Sequence, residues 1–252
     1  MTYHILNGDA LVDRFLATEL AGNVIVMREC LVEGNLAGDT LPAFYRTRAN
    51  YLAATYGVTP DSYFDKVVGE FEKLHQAAGP SEFNLWFGYD LFCRANMWFV
   101  LALLQELPFS KEIFVVYPAY LTGNDVWQDF GKAGPKELLF CYTQRLQLGE
   151  KDLQLANDLW QAYKHGDLAE LTRLSRQPST GFPYLQEVCQ AHRERFPSGE
   201  EKGRPEKVIE RLLAGGKTSF PQVFEAFFKS EGVYGFGDLQ VKRIYDKVMQ
   251  SR

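Results

Sequence analysis

The chain reads as an α/β protein, with a mainly parallel, Rossmann-like sheet flanked by helices and then a smaller all-helical C-terminal domain. Three observations predict it. Over the first 148 residues, apolar runs of strand length alternate with helix-periodic stretches, which argues for parallel pairing through crossover helices. Two of those runs end alike, His4-Ile5-Leu6 in Asn7-Gly8-Asp9 and residues 83–87 in Gly88-Tyr89-Asp90, and each feeds a helical pattern. From Gly149 onward the pattern changes to short helices separated by Gly, Pro and Ser, with no run of strand quality after Tyr117.

Taken in order, residues 2–6 form the first expected strand. Residues 11–20 form a helix with Leu11, Phe15, Leu16 and Leu20 on one side, and Asp9 or Ala10 stands at its cap. A second strand spans 23–27 (NVIVM) and runs directly into Arg28-Glu29. Residues 30–42 contain Gly34, Gly38 and Pro42 without a period and read as a loop. Residues 43–56 return to helical spacing and carry Arg46 and Arg48. Thr59-Pro60-Asp61 opens another helix, with Tyr63, Val67, Phe71 and Leu74 on one face and Gly79-Pro80 as its end. The strand at 83–87 and the apolar helix at 91–104 come next, closed by Pro108. A further strand spans 112–117, a glycine-containing loop 119–134 and a helix 135–146. The helical domain, 149–252, has helix-turn-helix-like spacing over 206–249, and residues 198–204 (SGEEKGR) form a polar linker within it.

Composition narrows the class. A hydrophobic share of 46% against 23% charged residues is that of a folded globular chain. The net charge of −5 gives no global electrostatic case for nucleic acid. Residues 192–252 carry +3 and the remainder −8, a mild asymmetry far from the basic stripe that phosphate neutralisation needs. Cys30, Cys93, Cys141 and Cys189 are widely spaced and form no metal or redox pair, as expected of reduced thiols in a cytoplasmic protein. Residues 1–6 enter a strand without a signal-peptide pattern, and the longest apolar run, 97–104, is too short to cross a bilayer, so no membrane partner is expected.

Chemistry is expected where strands end. In a parallel sheet every strand–helix turn emerges on one edge, where open α/β sheets bind ligands. That edge brings Asn7-Gly8-Asp9, Arg28-Glu29 and Asp90 together, with Arg48 in reach. Clustered carboxylates beside an arginine suit a divalent cation, acid–base work, or ribose and phosphate recognition, and the three stay open. Each has a plain structural counterpart: capping for Asp9 and Asp90, an internal ion pair for Arg28-Glu29 and core packing for Cys93. Gly215-Gly216-Lys217-Thr218 lacks the first glycine of a phosphate loop, since position 211 is Arg. His4 reads as packed on its strand, and His75, His165 and His192 lack ligand spacing.

With these residues in view, the chain resembles the bacterial domain-of-unknown-function family numbered 1835. The likeness rests on His4-Ile5-Leu6-Asn7-Gly8-Asp9, on Met27-Arg28-Glu29 with Leu31, Glu33 and Gly34, on Arg46 and Arg48, and above all on Leu85-Trp86-Phe87, Asp90-Leu91-Phe92-Cys93. Trp160, Ala162 and Tyr163, and Phe236-Gly237-Asp238, look like features of the second half of such proteins. Met27 stands where the family often has Trp, and Arg94 where it often has Gln, which implies a more basic pocket. The resemblance supplies no reaction. The expectation is a site that binds or processes a small anionic, nucleotide-like or phosphorylated ligand. Asp9, Glu29 and Asp90 would take the catalytic roles, and Asn7, Gly8, Arg28, Arg48, Trp86 and Arg94 would be ligand contacts. The competing expectation is a non-enzymatic regulatory protein whose helical half binds a macromolecule.

Overall fold

The computed structural model describes residues 1–251, and four of the apolar runs form one sheet in it. Strands β1 (Thr2–Asn7), β2 (Asn23–Met27), β3 (Ser81–Trp86) and β4 (Lys111–Val116) are all parallel, in the order β2-β1-β3-β4. Ile5 stands between Ile25 and Leu85, so the most apolar stretch of each strand shares one level of the sheet. A fifth strand, β5 (Leu146–Gln147), pairs antiparallel with β4. The helix expected over 135–146 therefore stops earlier, at α6 (Pro135–Thr143), leaving two residues for this short edge.

Side chains alternate across the sheet, and each face has its own cover. Leu6, Trp86 and Val116 pack with Phe15 of α1 (Val12–Leu16) and Leu138 of α6 on one face. On the other, Ile5, Leu85 and Val115 belong to the main core with α2 (Leu41–Tyr56), α4 (Gly69–His75) and α5 (Leu91–Gln105). Helix α1 is much shorter than the expected 11–20. The Thr18 hydroxyl donates to the Phe15 carbonyl at 2.6 Å, closing the last turn, and Leu16 is 58% exposed instead of facing the core. Nor does Asp9 cap this helix: a 3₁₀ turn, Asp9–Leu11, precedes it, and no side chain caps either element.

Between β2 and β3, α3 (Pro60–Tyr63) runs through a π-helical turn, Phe64–Val68, into α4. Tyr63, Val67, Phe71 and Leu74 are buried as their spacing predicts. The wide turn itself had no signature in the periodicity. Helix α5 has Asp90 as its N-cap, the carboxylate accepting from the Cys93 amide at 2.9 Å. It is buried on nearly every side, which explains why its sequence is apolar all round.

Residues after the edge strand are helical: α7 (Glu150–Lys164), α8 (Leu168–Leu174), α9 (Leu185–Glu194), α10 (Arg204–Ala214), α11 (Phe220–Ser230) and α12 (Asp238–Gln250). The boundary at 148/149 marks a change of secondary structure, and one continuous apolar core crosses it, from Tyr3 on β1 to Val248 on α12. Polar ties cross it too: Tyr163 donates to the Leu31 carbonyl at 3.1 Å and Tyr117 to that of Gly181 at 2.8 Å. No helix among the described residues is long and apolar enough to cross a membrane.

Candidate functional site at the carboxyl edge of the sheet

The chain goes from β1 to one neighbour, β2, and then crosses to the other side of β1 for β3. This reversal opens the carboxyl ends of β1 and β3, where doubly wound sheets hold ligands. Asparagines fill much of the gap. Asn96 of α5 donates to Asn7 Oδ1 at 2.9 Å and to the Glu29 carbonyl at 2.8 Å, and accepts from the Leu31 amide at 3.2 Å. Asn7 in turn donates to Cys93 Sγ at 3.1 Å. Asn96 thus ties the ends of β1 and β2 to the central helix. Its signal was available: it is a lone amide within the apolar run 91–104.

Arg28 and Glu29 do not pair with each other. Glu29 is buried in an ion pair with Arg48, whose Nη2 lies 2.9 Å from Oε2 and whose Nε lies 3.1 Å from Oε1. The Tyr63 hydroxyl (2.6 Å) and the Cys30 amide (2.8 Å) also donate to this carboxylate. Arg48 is spent as well, on the carbonyls of Glu33 (2.7 Å) and Cys30 (2.9 Å). Both side chains, expected as a catalytic group and a ligand contact, have the geometry of an internal ion pair that pins the loop after β2. Breaking such a pair from one side typically costs about 3–5 kcal/mol.

Arg28 is held differently. Its Nε donates to both oxygens of Asp9 at 2.8 and 3.0 Å, and its Nη1 to the Lys66 carbonyl of the π turn at 2.8 Å and to Glu70 at 3.1 Å. Nη2 has no hydrogen-bond partner among the described residues. Asp9 is exposed, so this carboxylate positions Arg28 from the solvent side. Asn7, Gly8, Asp9, Arg28 and Glu29 line an open cleft of about 400 Å³, whose far wall is Phe92, Gly235, Gly237 and Gln240. Gly237 stands at the start of α12, where its amide donates to Gln240 Oε1 at 2.9 Å and the Leu239 amide to Asp238 Oδ1 at 2.9 Å.

Asp90 lies just behind that wall. Gly235 has φ +62°, and a Cβ there would come within 2.0 Å of Asp90 Oδ1, so only glycine lets this turn close over the carboxyl. Behind Asp90 is Asp129, which falls within the loop expected over 119–134. Both carboxyls converge on bare Gly88: an added Cβ would meet Asp129 Oδ1 at 2.9 Å and Asp90 Oδ2 at 3.0 Å. Asp129 Oδ1 is buried without a partner among the described residues, and the backbone there has φ 50° and ψ −152°, a conformation that costs energy outside glycine. Burial, and then the charge of Asp90, push Asp129 up to about 7; burial likewise raises Asp90. The pair holds a proton near neutrality, which relieves the repulsion between two carboxylates. Burial and the same two carboxyls push the Cys93 thiol upward, so it is no ready nucleophile.

Two expected ligand contacts lie elsewhere. Trp86 points to the opposite face of the sheet from Leu85 and is buried between Phe15 and Tyr142. Its indole N–H donates to His4 Nδ1 at 3.2 Å; this leaves the His4 proton on Nε2, facing the Ala21 carbonyl at 3.3 Å. Arg94 is fully buried, donating to the Tyr117 hydroxyl and, at 2.5 Å, to the Pro183 carbonyl, so it joins the sheet to the helical half and adds no charge to the cleft. Among the described residues no group of three or more His, Cys, Asp and Glu side chains is placed to hold a metal ion. Comparison of the chain with family models, with curated proteins and with solved structures found no match.

Proposed function

We propose that the protein binds a small anionic molecule in the cleft at the carboxyl ends of β1 and β2, with Arg28 as its anion contact. One observation carries this reading. Arg28, a lining residue of the cleft, is fixed by Asp9, Glu70 and the Lys66 carbonyl, and its Nη2 has no hydrogen-bond partner among the described residues. A guanidinium held in this way loses little freedom on binding and presents a directed pair of N–H groups. Family 1835 membership and a cytoplasmic location are proposed with it. The motif residues Asn7, Arg28, Glu29, Arg48, Asp90 and Cys93 all contribute to this one edge.

The macromolecular reading has weaker support. Of the basic side chains after residue 200, Lys202, Arg204, Lys207, Lys229, Lys242, Arg243 and Lys247 all lie in ion pairs with acidic neighbours. A surface of alternating, paired charges is a poor match for a phosphate backbone.

Titration calorimetry with inorganic phosphate and sulfate tests the reading. Binding is expected to weaken with added salt and to be lost in Arg28→Gln, whose melting temperature should stay close to that of the parent because the ion pair is partly exposed. Binding that is indifferent to both changes would reject it.

A further inference from the structure

We infer that the anion held at Arg28 carries an aliphatic body lying in a second cleft beside the first, so that the ligand class is a medium-chain amphipathic acid. This rests on the anion reading above and goes on to name the rest of the molecule. The second cleft, also about 400 Å³, shares Arg28, Cys30 and Gln240 with the first. Its other walls are mainly apolar, with Leu52, Val58, Val67 and Leu239 around the rings of Tyr56 and Tyr63. A polar head at Arg28 therefore has an apolar trough directly alongside it.

The polar atoms of the trough are already engaged. Tyr63 donates to Glu29, Tyr56 to Glu33, and Gln240 spends its amide on Tyr56, Cys30 Sγ and the Gly237 amide. What remains is the Ser62 hydroxyl and, at the rim, Lys66, for whose ammonium no partner occurs among the described residues. A nucleobase lodged there would bury donors and acceptors without partners, which sites tolerate poorly. An alkyl chain asks for none. Lys66 supplies a second positive charge for the head, and Leu239, 56% exposed at the rim, is apolar surface that a chain would cover. The π turn puts both halves in register, since the Lys66 carbonyl orients Arg28 while Val67 lines the trough. Such turns are frequent at functional sites.

The test is a homologous series of n-alkyl phosphates and n-alkyl carboxylates, hexyl to decyl and below their micellar concentrations, titrated beside inorganic phosphate and adenosine monophosphate. Affinity is expected to rise about fourfold per methylene until the trough is full. Comparison of the two series reads which head group is preferred. Leu239→Ser alters an exposed rim position and Val58→Ser a half-buried one packed against the core, so the melting temperature of each is recorded beside its binding. Both should flatten the gain with chain length while leaving inorganic phosphate binding unchanged. Arg28→Gln should weaken every member by a similar factor. If phosphate binds through Arg28 but chain length adds nothing, or if adenosine monophosphate binds more tightly than every alkyl anion, the inference is overturned and the anion reading stands. If no anion binds at all, both fall together.

Discussion

Single residues at the sheet edge divide into those that hold the fold and those that the fold holds at a cost. Glu29 and Arg48 are of the first kind, with every strong donor and acceptor satisfied. Asp129 is of the second kind: strained in backbone, unpartnered at Oδ1 and facing another carboxyl. Its pKa makes that cost measurable. The folded state keeps the proton to about 7, whereas an unfolded Asp loses it near 3.9. Between these values the unfolded chain binds fewer protons, so stability falls as pH rises from about 4 to about 7 and then levels off. Asp129→Asn, which keeps the side chain's size and shape, should remove the share of this dependence that belongs to Asp129 and raise the melting temperature at pH 8 while changing little at pH 4. Parallel thermal melts at the two pH values check it, and the gain at pH 8 should be on the order of a few kcal/mol. A melting temperature that drops at both values would instead mark Asp129 as an ordinary structural acid. Nothing in the sequence singled this residue out, because its significance comes from Gly88 and Asp90, which are distant along the chain and adjacent only in the fold.

At the scale of elements, what could be read was whatever is written within one segment. The four parallel strands and α5 announce themselves by length and by apolar pattern, and the placement of strand ends on one edge follows from parallel pairing alone. Pairings between segments could not be read. Asp9 looked like a cap but serves Arg28, while Glu29 belongs to Arg48 on α2 and not to its neighbour in sequence. The two-residue strand β5 and the five-residue π turn carry no periodic signal because each is too short for its period to repeat. The turn formed by Tyr234 to Gly237 had no visible role either, although it closes the site. Gly235→Ala puts a methyl group against Asp90 Oδ1 in an unfavourable backbone conformation, so the turn must lift. The expected result is a loss of about 1–3 kcal/mol and faster amide exchange in the first turn of α12, with the strands unaffected. Unchanged exchange there would mean that the turn is not what seals the edge.

The whole molecule is packed around one continuous core despite its two textures. The apolar cluster that starts on β1 ends on α12, and α5 lies between the sheet and α7 and α9. A fragment of residues 1–148 would expose the face of α5 that these helices cover. It is expected to show no cooperative thermal transition, whereas the full chain should melt in a single step by both near-ultraviolet and far-ultraviolet circular dichroism. Two resolved transitions in the full chain would argue for separable domains. The acidic body and mildly basic helical half, apparent from composition, do not translate into opposed surfaces, because the helical cations are largely used in local pairs.

Gly235 closes over Asp90 across most of the chain, and this contact imposes a timetable during synthesis. A ribosome adding about 5–20 residues per second needs roughly seven to thirty seconds to pass from one to the other. Throughout that interval the nascent chain has its first three strands but lacks the turn that shields the carboxyl at the head of its central helix. An acid that water still reaches is an ordinary ionised aspartate, and the burial that raises Asp90 is complete only with this turn in place. The cleft that Gly235 and Gly237 help to line can therefore be complete only after nearly the whole chain has been made.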